Sequence, residues 1–327
     1  MKILVTGAGE VLGQAAIKSI RSSSLNATIV ALNASSSGAG LYWADQYYIV
    51  PRAKDPIYMD KIREIIENER PDIILIGTAH EYSVFSDARN EIEREYNTKV
   101  LVSSRKVIDI ADDKWLTHKF LKDNNLDYPE SCLPGDEQAL IDKVGFPLIV
   151  KPRVGSGSVG VTKVDSISEL NEALKKISNL IIQECVGTED EEYTAGVVVF
   201  NGTAKSSIAM KRELRHGNTS IARAEPYSEV NSYLEKIAEK LGVYGPVNLQ
   251  YRLVGNKVKL FEINARFSGT THFRTLSNVN EVEMCVKYLV QQIDISQPEI
   301  KPVQILRYYD ETVVPDDKSE SILSHKQ

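Results

Sequence analysis

Short apolar strands alternate with helices along the first hundred residues, and this alternation constrains the fold more than any other feature. Strand-like runs at 2–6, 28–32, 73–76 and 100–102 are separated by helical patterns that include 61–69 and 81–95. Strands that are apolar throughout are typical of parallel sheets covered by helices on both faces. The pattern predicts an α/β, Rossmann-like parallel-sheet domain over residues 1–110.

Strand signals dominate the rest of the chain. A helical pattern at 114–123 is followed by strand-like runs, with further helices only at 168–177 and 228–241. The runs lie at 146–152, 180–183, 192–200, 206–210, 247–253 and 258–263. Strands with inserted helices predict an α+β domain over residues 111–295. The proline-containing extension at 296–327 is expected to be partly flexible.

Composition excludes several classes of protein. The 327 residues include 39 basic and 45 acidic ones, and a net charge of −6 argues against a nucleic-acid binder. The sequence contains no apolar stretch of transmembrane length, and the run from Met1 to Gly7 is too short for a signal peptide. The three scattered cysteines favour a reducing compartment. We therefore expect a cytoplasmic protein that contacts neither membranes nor nucleic acid.

A glycine loop, Gly7-Ala8-Gly9 with Gly13, links the first strand to the first helix. Such a turn before a helix amino terminus suits phosphate. However, the second strand ends in Leu32-Asn33, where a dinucleotide enzyme has an acidic residue for the ribose. Tight helix packing, or a ligand other than a nucleotide, is therefore favoured over a nicotinamide site.

Lys151 and the glycine-serine loop at 155–160 form a candidate polyphosphate site. The lysine ends a buried strand and precedes Pro152, which fixes its position. Backbone N–H groups of the loop could fold over phosphates above the lysine charge. A flexible hairpin tip is an equally good interpretation of the loop alone.

The strand at 181–186 leads into an acidic stretch. Backbone groups at Glu184 and Val186 could pair with an adenine ring, and Glu192 could hold ribose hydroxyls. An edge strand followed by a solvated acidic loop explains the same residues without a ligand.

A candidate metal site lies on two strand-like runs joined by Gly255-Asn256. In an antiparallel pair around this turn, Gln250 and Glu262 can share a face, and Asn264 shares it because side chains alternate with period two. Oxygen ligands of this kind, used together with substrate phosphates, are typical of Mg²⁺. Arg266 follows on the same face.

Together these motifs resemble the ATP-grasp superfamily, in particular short proteins similar to half of the carbamoyl phosphate synthetase large subunit. The matching segments are 150–160, 183–186, 192–193 and 261–269, and the resemblance extends to about Gln291. The resemblance implies an ATP-grasp fold of two α+β subdomains, with a nucleotide lid at about 115–190, behind a Rossmann-like pre-ATP-grasp domain.

The resemblance also implies a role for individual residues. Lys114 and Lys151 would contact phosphates, and Glu192, or else Glu191, would hold the ribose. Arg266 would face the acyl phosphate, while Lys211 and Arg212 are looser matches to a γ-phosphate contact. The remaining implied residues are the phosphate loop (Ser156, Gly157, Ser158, Val159, Gly160), the adenine hinge (Glu184, Val186), the Mg²⁺ ligands (Gln250, Glu262, Asn264), and a polar loop near the reacting centre (His216, Thr219).

The substrates are the least defined part of the prediction. Glu81 and His80 follow a predicted parallel strand, where ligands of such sheets bind, although an acid there also favours the helix dipole. Arg274 could hold a substrate carboxylate or lie on the surface.

The activity implied by the resemblance is an ATP-dependent ligase. It would use Mg²⁺ (or Mn²⁺) and join a small-molecule carboxylate to an amine, as a homodimer. A regulatory ATP-binding protein and a nicotinamide-dependent oxidoreductase are the alternatives.

Overall fold

In the computed structural model, which describes residues 1–155, 157–188 and 191–315, the chain forms three sheets. The first is parallel, with strand order β3-β2-β1-β4-β5. Its strands are β1 (Lys2–Val5), β2 (Thr28–Asn33), β3 (Gln46–Ile49), β4 (Ile73–Leu75) and β5 (Lys99–Leu101). Its main helices are α1 (Val11–Arg21), α2 (Tyr58–Glu69) and α3 (Tyr82–Tyr96).

Both faces of this sheet are buried, as the apolar strands predicted. Ile3 and Val5 pack with α1 on one face, whereas Leu4 packs with α2 and α3 on the other. Strand β3 was not predicted because three of its four residues are polar or aromatic and none is fully buried at the sheet edge.

The helices α4 (Arg105–Asp112) and α5 (Lys114–Asp123) lead into the second sheet, which is antiparallel with the order β6-β9-β7-β8. This second sheet has an apolar cluster of its own, to which Leu148, Val150 and Leu170 belong. Its elements are β6 (Ser131–Cys132), α6 (Glu137–Val144), β7 (Leu148–Pro152), β8 (Thr162–Val164), α7 (Ile167–Lys176) and β9 (Leu180–Glu184).

The third sheet is antiparallel and has the order β14-β13-β10-β11-β12-β15. Its last strand belongs to the extension predicted to begin at 296. The elements are β10 (Glu192–Phe200), β11 (Thr203–Arg215), β12 (Asn218–Ala224), α8 (Glu229–Leu241), β13 (Gly245–Val254), β14 (Lys257–Asn264), α9 (Thr271–Leu276), α10 (Glu281–Gln291) and β15 (Gln304–Leu306).

The third sheet, called the central sheet from here on, shares one apolar core with the parallel sheet. Phe200 of β10, Phe267 and Val282 pack into the cluster that contains β1 and α1. The Asn280 side-chain amide also donates to the Ser19 carbonyl oxygen at 2.9 Å. This joint, at Ser19 near the carboxyl end of α1, holds the helix against the segment that follows β14.

The glycines of the first loop are required by close packing. A β-carbon on Gly13 would overlap the Gly7 carbonyl, and one on Gly77 would overlap the Thr6 carbonyl. Asn33 accepts a hydrogen bond from the Gly9 backbone N–H at 3.1 Å, so its side chain stabilises the turn. These contacts agree with the packing interpretation of the loop.

A buried ion pair supports the joint. Arg274 and Glu281 are each 1% exposed, and their closest N–O distance is 2.9 Å. A β-carbon on Gly196 of β10 would collide with the Glu281 carboxylate, so the pair needs glycine beneath it.

Replacing Glu281 with Gln is expected to lower the free energy of unfolding by about 3–5 kcal/mol, because the Arg274 charge stays buried without its partner. Urea denaturation measures this loss. The control is Lys287→Gln on the same helix, which breaks a partly exposed pair with Glu283 and should cost less than about 1 kcal/mol. Equal losses in the two variants would contradict the prediction.

Candidate functional site

Two adjoining cavities lie between the second sheet, the central sheet and the amino-terminal domain. The first has a volume of about 190 Å³ and the second about 370 Å³. Residues that line both form their common wall: Gly157, Arg212, Gly217, Gln250 and Glu262.

Lys151 lies at the base of the first cavity. Its Nζ donates to Gln183 Oε1 at 2.7 Å, and only 5% of the residue is exposed. Burial lowers the pKa of Lys151 to about 8, although the nearby Glu262 carboxylate opposes the shift. Lys114 lines the same cavity, and its Nζ donates to the Gly155 carbonyl oxygen at 2.9 Å.

The loop at 155–160 covers this cavity. Gly157, Ser158 and Val159 line it, and Val159 is 77% exposed. A β-carbon on Gly217, in the turn between β11 and β12, would overlap the Gly157 carbonyl. The loop therefore rests on that turn. Ser156 lies outside the described residues, and Gly160 packs beside Pro152 without lining either cavity.

The opposite side of the first cavity is formed by Glu184, Cys185 and Val186. Glu192 lines it as well, and its carboxylate pairs with Arg212 at 2.7 Å and with Arg252 at 3.2 Å.

Glu191 is the less suitable ribose ligand of the two adjacent acids. Its carboxylate accepts a hydrogen bond from the Thr188 hydroxyl at 3.2 Å, whereas Glu192 faces the cavity. Arg252, which the sequence analysis did not single out, also donates to the Val186 carbonyl oxygen at 3.0 Å.

Two of the predicted metal ligands, Gln250 and Glu262, lie on the common wall, and the third, Asn264, lines the second cavity beside them. Gln250 pairs with Glu262 in the β13–β14 register. Glu262 Oε1 accepts from Gln250 Nε2 at 3.3 Å and from Asn264 Nδ2 at 2.8 Å. One carboxylate with two amide oxygens fits a hard cation that takes its other ligands from phosphates and water. Among the described residues there is no group of three His, Cys, Asp or Glu side chains with metal-binding geometry.

A β-bulge creates this arrangement. Tyr251 pairs with Leu260, yet Gln250 pairs with Glu262, so Phe261 is the extra residue. Phe261 and Glu262 consequently both line the first cavity, which regular alternation forbids. Regular alternation therefore gave no indication of Phe261, whose ring centroid lies 5.4 Å from Lys151 Nζ.

Arg212, and not Lys211, points into the cavities. Lys211 is exposed on the other face of β11. Arg212 is 9% exposed and donates to Glu192 and Gln250, each at 2.7 Å. It thereby links the first cavity to the candidate metal ligands.

The second cavity is lined by Arg266, Thr219 and His80, together with the amino terminus of α1. Arg266 Nη2 donates to Asn264 Oδ1 at 2.6 Å. Arg307, from the carboxyl-terminal extension, lines the same cavity. No motif pointed to Arg307, because only the pairing of β15 with β12 brings it here.

Three predicted substrate residues lie outside both cavities. Glu81 is 6% exposed within the amino-terminal domain, where burial raises its pKa to about 7. Arg274 is already paired with Glu281 in the buried ion pair. His216 is exposed in the β11–β12 turn. Arg274 also donates to Ser268 and Thr270, which line the second cavity, so it stabilises that wall from the core side.

Comparison with known families identifies these domains. Residues 176–312 match the family described as ATP-grasp in the biosynthetic pathway with Ter operon, and residues 144–199 match the ATP-grasp domain. Residues 3–101 match the PylC-like amino-terminal domain. This chain belongs to the ATP-grasp superfamily. The architecture, a parallel-sheet domain followed by antiparallel ATP-grasp sheets, agrees with the fold class predicted from the sequence.

Curated relatives of this ATP-grasp chain include a carbamoyl phosphate synthase large chain from Caldanaerobacter subterraneus subsp. tengcongensis. It is 24% identical over 302 residues, which are 82% of this chain and 27% of the relative. The chain thus spans about a quarter of the length of the curated relatives it matches.

Solved structures share the ATP-grasp fold. N5-carboxyaminoimidazole synthetase from Staphylococcus aureus, complexed with ADP, has a TM-score of 0.74 and 15% identity, covering 94% of this chain and 82% of that one. The biotin carboxylase domain of Hydrogenobacter thermophilus 2-oxoglutarate carboxylase, with MgADP, has a TM-score of 0.70 and 16% identity, and the match covers 92% of this chain and 72% of that one. L-amino acid ligase from Bacillus licheniformis has a TM-score of 0.69 and 16% identity, and the match covers 89% of this chain and 74% of that one. None of the described helices is long and apolar enough to cross a membrane.

The lowered pKa of Lys151 predicts proton uptake when ADP binds to this ATP-grasp site. At pH 9 roughly nine-tenths of a lysine with a pKa near 8 is neutral, and phosphates favour its charged form. ADP affinity should therefore fall as the pH rises through 8. Calorimetry at pH 9 in buffers of different ionisation enthalpy measures the uptake.

The Lys151→Met variant should lose this proton uptake. Lys163→Met, which removes an exposed lysine from the same sheet, should keep it. Equal uptake in Lys151→Met and the unaltered protein would contradict the assignment.

Proposed function

We propose that the protein is an ATP- and Mg²⁺-dependent ligase that activates a substrate carboxylate as an acyl phosphate and joins it to an amine. The observation that carries this proposal is the common wall. A cavity with a buried lysine and a covering loop meets a cavity rich in arginine, at a cluster of candidate metal ligands. Phosphoryl transfer between two substrates needs such a meeting point.

In the first cavity we assign ATP to the residues that line it. Lys114 and Lys151 would neutralise phosphate charge, and the loop at 155–160 would cover the phosphates. The strand exit at Glu184 and Val186 would pair with the adenine, and Glu192 would hold the ribose. The chain's similarity to structures that contain ADP or MgADP supports this assignment.

The ligand cluster fits Mg²⁺ at the inner end of the nucleotide. Gln250, Glu262 and Asn264 would hold the ion, which, when bound, neutralises charge on the phosphates. Arg212 lies beside these ligands and donates to Gln250 at 2.7 Å, which orients the amide.

In the second cavity the substrate carboxylate would lie beside Arg266. An oxygen of the carboxylate attacks the γ-phosphorus, the bond from this phosphorus to the bridging oxygen breaks, and ADP leaves. Arg266 stabilises the negative charge of the acyl phosphate. The loop at 155–160 excludes water, which would otherwise hydrolyse it. An amine then attacks the acyl carbon, inorganic phosphate leaves, and the amide nitrogen loses a proton.

The carboxylate and amine belong to the class of amino acids, peptides or sugar acids. Fold similarity to an L-amino acid ligase supports this class. We further infer a cytoplasmic homodimer from the resemblance to the superfamily.

Hydroxylamine trapping tests the proposed chemistry. With Mg²⁺, ATP and pooled carboxylates, we expect ADP release together with a hydroxamate from at least one carboxylate. Glu262→Gln should lower turnover by roughly a hundredfold or more, because it weakens charge neutralisation in the transition state. Glu213→Gln is the matched control, since Glu213 is exposed on the same sheet.

Other outcomes of this assay separate the alternatives. ADP binding without hydroxamate from any pool would favour a regulatory nucleotide-binding protein. Normal turnover by Glu262→Gln would contradict the metal assignment.

A further inference from the structure

Arg307 reaches the second cavity from the carboxyl-terminal extension. Its backbone N–H donates to the Ser220 carbonyl oxygen at 2.8 Å, which continues the pairing of β15 with β12. Its side chain donates to the Gly269 carbonyl oxygen, and its guanidinium carbon lies 5.0 Å from the centre of the Phe273 ring. These contacts hold the guanidinium in one place.

The charge of this guanidinium is not balanced by the protein. In the part of the chain that the structure describes, neither Arg307 nor Arg266 has a carboxylate within 4.0 Å. Both side chains are only partly exposed, and burial lowers the pKa of Arg307. A cation withdrawn from water is costly unless it is paired.

The neighbouring acids do not supply the missing charge of Arg307. Burial raises the pKa of Asp112 and the charge of Arg266 opposes this shift, whereas no carboxylate contributes to the pKa shift of Arg307. Glu192 already pairs with Arg212, and Glu262 is bonded to the amides of the ligand cluster. Glu10 lines the same cavity but is exposed to solvent at its edge.

Arg307 also lies beside the amino terminus of α1. A β-carbon on Gly269 would be 3.0 Å from Val11 Cγ1 and 3.8 Å from Arg307 Nη2. The helix has eleven residues and begins without a side-chain cap, and its first residues line the cavity. The positive end of the helix dipole therefore adds to the guanidinium charge.

We propose that the second cavity binds a substrate with two anionic groups. One is the carboxylate activated beside Arg266, and the other is a carboxylate or phosphate held by Arg307 and the amino terminus of α1. Arg307 is thus a specificity-determining residue contributed by the extension. This inference rests on the proposed ligase function, whose substrate class it narrows.

Calorimetric titration of the MgADP-saturated protein tests this inference. One arm uses succinate and glutarate against their monoamides, and a second uses 3-phosphoglycerate against glycerate. We expect the compound with two anionic groups in one arm to bind at least about tenfold more tightly than its counterpart with one, since charge-assisted hydrogen bonds contribute on this scale. The arm that shows the preference identifies the second anionic group of the substrate as a carboxylate or as a phosphate.

Arg307→Met should abolish the preference for the dianion, because the second anionic group loses its partner, and should leave the affinity for MgADP unchanged because Arg307 does not line the first cavity. Arg307→Lys should retain part of it. Arg89→Met is the matched control, because Arg89 also stacks on an aromatic ring, Tyr244, and donates to a carbonyl, but has Glu93 as its partner and lies outside both cavities.

A protein without preference for any dianion overturns the inference, and so does an Arg307→Met variant that weakens both members of a pair equally. Either result leaves the ligase proposal standing if hydroxamates still form. Conversely, Arg307-dependent binding of a dianion without hydroxamate formation would retain the site and refute the ligase chemistry.

Discussion

The one-residue bulge at Phe261 is the constraint on which the rest of the site depends. From the turn at 255–256 the hairpin pairs regularly as far as Tyr251 and Leu260, both of which are buried in the core. If Phe261 were paired regularly instead of bulged, Glu262 would share the core face with Leu260, and its carboxylate would be buried among apolar side chains. The bulge turns Glu262 toward Gln250 and returns Ile263 to the core. One irregular position thus satisfies both the packing of the sheet and the charge requirements of the site.

Charge alternates through the wall that the bulge creates. Hydrogen bonds through Gln250 connect Glu192, Arg212 and Glu262. Lys151 donates to the Gln183 amide and lies near the Glu262 carboxylate, so each of these buried charges has an opposite charge or an amide nearby. Such a network holds its members in place before any ligand binds, and preorganised charge is what phosphoryl transfer requires of a protein. Arg266 and Arg307, which have no carboxylate within 4.0 Å in the described part of the chain, both face the second cavity. The protein therefore compensates its own charges around the nucleotide and leaves positive charge for the other substrate.

Sequence patterns predicted the parts of this structure that follow from local periodicity. Ile3, Leu4 and Val5 alternate between two cores, and this is why an entirely apolar strand indicated a parallel sheet covered on both faces. Gln250 and Glu262 were expected on one face, but the bulge that puts them there has no local signature, and Phe261 was missed with it. Arg307 could not be found either, because its position depends on β15 pairing with β12, more than eighty residues earlier in the chain. Glu81 and Arg274 were assigned to substrate by their sequence context, yet tertiary packing buries both.

The amino-terminal domain and the central sheet share one core, and residues of both line the second cavity. Phe200 and Phe267 pack with α1, and the buried Arg274 holds α9 to α10 behind them. The same packing places the start of α1 beside Gly269. Arg307 of the carboxyl-terminal extension donates to the Gly269 carbonyl oxygen at the same place. The second cavity is consequently lined by segments that are far apart in sequence, among them the start of α1, the residues that follow β14 and the extension, and none of them would form it alone. A change of substrate in such a fold can then come from the extension or the first loop, while the wall that performs the chemistry stays the same.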